Sequence, residues 1–204
     1  MNFSRYAIPM NFPLDARFKL LAIASQISLA DAQGTLLYYV KQKAFKLKEA
    51  VTVFGDESQT RPLFRIEADR ILDISARYRI EDAGGAELGA LQRRGMKSFW
   101  RTHYDVEVGG RTVLTIREEN PWTKVLDGLF GSIPILGIFA GYLFHPAYLV
   151  SPAPDGPTVL RVVKKPALLE GRFQIDRLQS SSEHVLEVAV VSVLMMLLLE
   201  RSRG

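Results

Sequence analysis

Short stretches of alternating apolar and polar residues run along most of this chain, and they come in pairs joined by turn residues. Tyr78-Arg79-Ile80 leads into Asp82-Ala83-Gly84-Gly85 and returns through Glu87-Leu88-Gly89-Ala90-Leu91-Gln92-Arg93-Arg94. Tyr104-Asp105-Val106 turns at Gly109-Gly110 and returns through Val113-Leu114-Thr115-Ile116-Arg117. Tyr148-Leu149-Val150 turns at Asp155-Gly156 and returns from Val159 to Lys165. A fourth copy runs from Ile27 through Asp31-Ala32-Gln33-Gly34 to Lys43, and looser copies begin at Val51 and Phe173. A period of two puts one face of each stretch inward, and Gly after Asp or Gly supplies the positive φ of a tight hairpin. The copies recur about every 25 residues, the length of two strands and two turns. Six hairpin units predict roughly twelve strands, enough to close a mainly β antiparallel barrel without exposed edges. Alternation alone leaves a two-sheet sandwich open.

The C-terminal stretch abandons this rhythm. Ser180-Ser181-Ser182-Glu183 has the capping hydroxyls and the acidic first turn of a helix start. Only Glu187 and Ser192 interrupt the apolar run from Val185 to Leu199. The pattern predicts a helix over 183–203 that is apolar on every side, so it is buried in protein or in lipid. A span takes about 20 apolar residues, and this run is shorter and carries a glutamate. Burial as the plug of the barrel is the expectation. A single domain over 1–204 follows, because no Ser/Gly linker divides the chain. Lys19 to Ala24, followed by Ala30-Asp31-Ala32, imitates a leader and its cleavage site. Ser25, Gln26 and Ser28 interrupt it, and a strand explains the same residues better.

A second apolar region, 122–147, is predicted as a helical insertion in the barrel. Leu129 to Val150 contains no Lys, Arg, Asp or Glu, and Gly137 and Gly141 have the spacing that lets membrane helices approach. Before Pro146 it is short for a perpendicular span. Three readings stay open: cover for one barrel mouth or a subunit contact, shallow insertion into a membrane, and a true span, against which the length argues.

Composition sharpens this only slightly. Hydrophobic residues at 48% with 24% charged residues describe a folded chain rather than a disordered one. The formal charge of +4 tolerates an anionic partner without demanding one. With no cysteine there is neither a disulfide nor a thiolate metal site, and a reducing compartment fits. His103, His145 and His184 are too scattered for zinc, and Ser180–Ser182 read as a cap rather than a nucleophile. Gly84, Gly85 and Gly89 lie in a hairpin with no following helix, so they cradle no nucleotide. Glu118-Glu119 and Glu67 with Asp69 are the remaining carboxylate pairs, expected as solvated strand ends. No enzyme, cofactor or metal is expected.

Basic residues cluster at the ends of return strands: Lys41, Lys43, Lys46 and Lys48; Arg93, Arg94, Lys97 and Arg101; Lys164 and Lys165. Phe45, Phe99 and Trp100 interleave with them as a single-strand binder would require. The acidic residues dilute that footprint, and nucleic acid ranks last among the anionic partners. The residues expected at a lipid or membrane surface are Trp122, Phe130, Ile135, Ile138 and Phe139 as apolar contacts, with Lys41, Lys43, Arg93 and Arg94 as the electrostatic set.

Tyr38-Tyr39-Val40-Lys41-Gln42-Lys43-Ala44-Phe45, then Tyr104-Asp105-Val106-Glu107-Val108-Gly109-Gly110, the strand pair from Val159 to Ile175 and the closing Val185–Leu199 helix together resemble the Tubby C-terminal-like superfamily. That superfamily includes the LURP-one-related proteins, the phospholipid scramblases and small bacterial relatives. The resemblance implies a twelve-stranded barrel with its terminal helix threaded through the centre. Basic residues beside apolar surface point to a cytoplasmic, non-catalytic protein that associates with anionic membrane or lipid, with a peripheral position at the inner face of the membrane as one option. Tubby domains bind phosphoinositide headgroups, and scramblases are associated with lipid movement and calcium. No headgroup or calcium motif is matched here residue by residue. The alternative is a scaffold that uses 122–150 to bind a protein partner or a second copy of itself; an enzyme of unknown type comes third.

Overall fold

A computed structural model describes residues 9–21, 24–43, 50–69, 76–94, 103–119, 147–167 and 170–201. The strands are β1 Leu14–Leu21, β2 Ala24–Ala30, β3 Leu36–Lys43, β4 Val51–Phe54, β5 Pro62–Ala68 and β6 Arg77–Asp82. They continue as β7 Glu87–Arg93, β8 His103–Val108, β9 Arg111–Glu118, β10 Ala147–Pro152, β11 Leu160–Lys165 and β12 Glu170–Arg177. Helix α1, Glu183–Arg201, follows. Each strand pairs antiparallel with its chain neighbours, and β1 pairs with β12, so the barrel is closed and the sandwich alternative falls.

Five of the repeat units are hairpins as read: β2–β3, β4–β5, β6–β7, β8–β9 and β10–β11. The Phe173 copy is not. It is β12, whose second neighbour is β1, with Leu14 opposite Ile175. The strand that completes this unit comes from the far end of the sequence, and the pair closes the barrel.

Turn chemistry follows the sequence in one hairpin and departs from it in another. Val108 pairs with Arg111 across Gly109 and Gly110, whose φ values of 59° and 74° only glycine adopts freely. Gly156, by contrast, is not a positive-φ turn residue. Its N–H reaches the Pro152 carbonyl at 2.8 Å, and Val159 N–H reaches Val150 at 2.8 Å across a longer connection.

Alternation sends Phe18, Ile27, Tyr38, Ile66, Ile80, Leu91, Tyr104 and Ile116 into the barrel, all buried. Those inward side chains need a filling, and α1 supplies it, buried from Leu186 to Leu199. Ser182 caps this helix: its carbonyl accepts from Leu186 N–H at 2.9 Å and its Oγ from Val185 N–H at 3.4 Å. None of the helices among the described residues is long and apolar enough to cross a membrane. The 122–147 insertion, apart from Ala147, and residues 202–203 of the expected helix lie outside the described residues.

Gly89 shows how tightly helix and wall are fitted. A Cβ there would lie 2.4 Å from the Glu107 carbonyl oxygen and 3.1 Å from Val188 Cγ1 of α1. Backbone cannot step aside as a side-chain tip can, so Gly89→Ala should lower unfolding free energy by about 3 kcal/mol, read by urea titration. A loss under roughly 1 kcal/mol would mean that β7 and β8 separate easily at this point.

Candidate functional site

In a barrel of sequential antiparallel strands, the connections alternate between two ends. The five hairpin turns, the start of β1 and the start of α1 share one end. At the other end the odd-numbered strands from β1 to β11 finish and the even-numbered ones begin. The pairs Arg93 with Tyr104, Glu118 with Tyr148, and Lys165 with Arg172 mark that rim. Helix α1 finishes there too, because the Tyr104 hydroxyl donates to Glu200 Oε1 at 2.8 Å.

This topology brings Lys41, Lys43, Arg93 and Arg94 to one end of the molecule. Glu119 and Ala147 lie there as well, joined by a 2.7 Å hydrogen bond from Glu119 N–H to the Ala147 carbonyl. They are the described residues on either side of 120–146. Trp122, Phe130, Ile135, Ile138 and Phe139 themselves lie outside the described residues. The four cations differ in what holds them. Lys41 is exposed on the outer wall. Lys43 ends β3, with Ala24 as its partner in the register. Arg93 is half-buried and engaged by a neighbour. Arg94 is ion-paired with the buried Asp105.

Three of the carboxylates expected as solvated strand ends, Glu67, Asp69 and Glu119, are held by arginines. Arg77 binds Asp69, Glu87 and Glu107 at 3.0, 3.0 and 2.9 Å, and Arg79 binds Asp69 at 2.7 Å. Glu67 pairs with Arg65 at 3.2 Å, and Glu119 holds Arg161 at 2.9 Å. Pairwise these surface bridges contribute little, but Arg77 ties β5, β6, β7 and β8 together, so it fixes their register. The sequence pattern missed this hub because Arg77 and Glu107 stand 30 residues apart.

His103 lies beside Asp105, with Nε2 3.6 Å from Oδ1. Burial, together with the Arg117 charge, pushes the imidazole below its ordinary range, so it is neutral near pH 7. Burial lifts the Tyr148 phenol to about 12, helped by Glu200 and Glu118. His145 lies outside the described residues, and Ser180 is exposed ahead of α1. Among the described residues no three His, Asp or Glu side chains are grouped to hold a metal ion.

Residues 36–132 match the family model for LURP-one-related proteins. Over that span the chain is similar to the LURP-one-related proteins. The matched stretch begins at β3 and includes Lys41, Lys43, Arg93, Arg94, Trp122 and Phe130; Ile135, Ile138 and Phe139 fall beyond it. An X-ray structure of a protein from Arabidopsis thaliana is similar at 16% identity over 91% of each chain, with a TM-score of 0.47. No curated protein matches.

Proposed function

We propose that this LURP-one-related barrel is a non-catalytic protein that associates with anionic membrane or lipid through the end where the odd-numbered strands finish. The observation that carries the reading is the gathering, at that one end, of strand-terminal lysines and of Glu119 and Ala147, the described residues on either side of 120–146. Apolar side chains entering the acyl boundary supply a salt-insensitive term, and lysines near the headgroups supply a salt-sensitive one. The non-catalytic part rests on the carboxylates Glu67, Asp69 and Glu119, which arginines occupy rather than leaving them to act as acid or base.

Co-sedimentation with neutral and anionic vesicles at two salt concentrations tests it. The chain should pellet with anionic vesicles, more at low salt. Ile138→Asp should abolish pelleting and leave the thermal midpoint within about 2 °C of the parent. If that substitution instead melts the fold while the parent ignores vesicles, 122–150 is protein core and the lipid reading is wrong. A dimer that turns monomeric, indifferent to vesicles, would make the segment a self-association surface.

A further inference from the structure

Resting on that reading, we infer that the bilayer is met by one sector of the rim, formed by β11, β12, β1, β2 and β3, and not by Arg93 and Arg94 where β7 finishes. Alternation along β1 points Leu14, Ala16 and Phe18 inward, so Arg17 and Lys19 face outward and are exposed. The register then assembles neighbours from distant parts of the chain. Lys19 lies opposite Gln26, and Gln26 opposite Lys41. One step along, Arg17 lies opposite Arg172, and Arg172 opposite Lys165, with exposed Lys164 beside it.

Six cations (Arg17, Lys19, Lys41, Lys164, Lys165, Arg172) thus share a sector with two carboxylates. Asp15 divides itself between Arg17 at 2.6 Å and Arg172 at 2.7 Å, and Glu170 stands opposite Lys19 in the register. Six against two leaves a surplus of four, and Lys43 at the end of β3 adds a further cation at the same rim. Among the described residues, none of the four lysines has an ion pair. The far wall is different. There Arg77, Arg79 and Arg94 are each bound to carboxylates. At the end of α1, Arg201 sits 5.4 Å from the centre of the Phe18 ring, which places one more cation beside β1.

The shape of this field selects its partner. Five strands spaced by about 4.8 Å spread the charge over roughly 19 Å, with no convergence on a single phosphate. A plane of many headgroups satisfies such a surface better than one small anion. Single-stranded nucleic acid would need exposed rings for stacking. The aromatic in this row, Tyr39, is buried, and the large apolar side chain exposed among the described residues is Leu178.

The test uses the full chain, vesicles of pure phosphatidylcholine, and vesicles with added phosphatidylserine. Lys19→Glu, Lys41→Glu and Lys165→Glu together should weaken anionic-vesicle binding on the order of a hundredfold at low salt. Arg65→Glu, Arg111→Glu and Arg117→Glu impose the same change of net charge elsewhere on the barrel and should stay within about threefold of the parent. Lys41→Glu alone, at an exposed position with no ion pair, should weaken binding roughly fivefold with an unchanged melting curve. Equal losses in both triple variants would overturn the sector, since net charge alone would then be responsible. A parent that binds and a sector variant that binds just as well would overturn it too, leaving the lipid reading standing. A parent that ignores anionic vesicles, or that captures an oligothymidine instead, sinks both.

Discussion

Leu194→Asp should abolish the cooperative thermal transition of this protein. Leu194 is 2% exposed in the middle of α1, and the helix is the filling of the barrel rather than a layer on its surface. An uncompensated carboxylate there costs several kcal/mol, on top of the apolar contacts removed with the leucine. Ordinary domains have about 5–15 kcal/mol in all, so one such charge takes most of it. Near-UV circular dichroism should flatten while the far-UV signal of the strands partly persists, and dye binding should report exposed apolar surface. Removing Val185 to Gly204 should have a larger effect and leave an insoluble product. Leu178→Asp, at a position 53% exposed, is the control and should move stability by no more than about 0.5 kcal/mol. A truncated chain that stays monomeric and melts sharply would show that the barrel interior packs without α1.

The wall of the barrel was legible because its cause is local. Alternation plus turn glycines is enough to mark β6–β7 or β8–β9, and Ser182 before an all-apolar run is enough to mark α1. The closure was not. β1 carries the apolar Leu20 and Leu21 that also imitate a leader, and its partner β12 pairs with it from some 157 positions away, as the Arg172–Asp15 bond shows. Local patterning holds no record of such a pairing, so Phe173 read as the start of one more hairpin. The candidate rim behaved the same way. Strand-end cations stand out as basic clusters, but nothing near Arg94 in the sequence says that Asp105, eleven positions on, will hold it while Lys41 stays exposed. Charge is visible in composition; its neutralisation is a property of register.

Raising the pH from 5 to 9 should weaken the fold, and Glu187→Gln should remove much of that loss. Glu187 is 7% exposed inside α1, and its Oε1 has no hydrogen-bond partner. Burial, with a further push from Glu183 one turn earlier, raises its carboxyl from 4.5 to about 7. Its charge in turn helps burial lift the phenol of Tyr38, whose hydroxyl is also buried without a partner. Because the folded value lies above the unfolded one, the protonated carboxyl contributes its full stability below about pH 4.5, and that contribution fades as pH rises through about 7. The difference between 4.5 and 7 is 2.5 units, which sets the loss at roughly 3 kcal/mol, with little further change above pH 8. His103 works in the opposite direction: its folded value is lowered, so its contribution is present above its unfolded value near 6.5 and is lost as pH falls below it. Subtracting the Glu187→Gln profile from that of the parent isolates the glutamate from the histidine. The surface acids Asp15 and Asp56, both held low, change only in more acidic solution. Urea titrations at pH 5, 7 and 9 on both proteins should therefore converge at pH 5 and separate at pH 9, with the glutamine variant the more stable. Parallel curves across that range would mean that Glu187 finds water or a partner in solution and keeps an ordinary acidity.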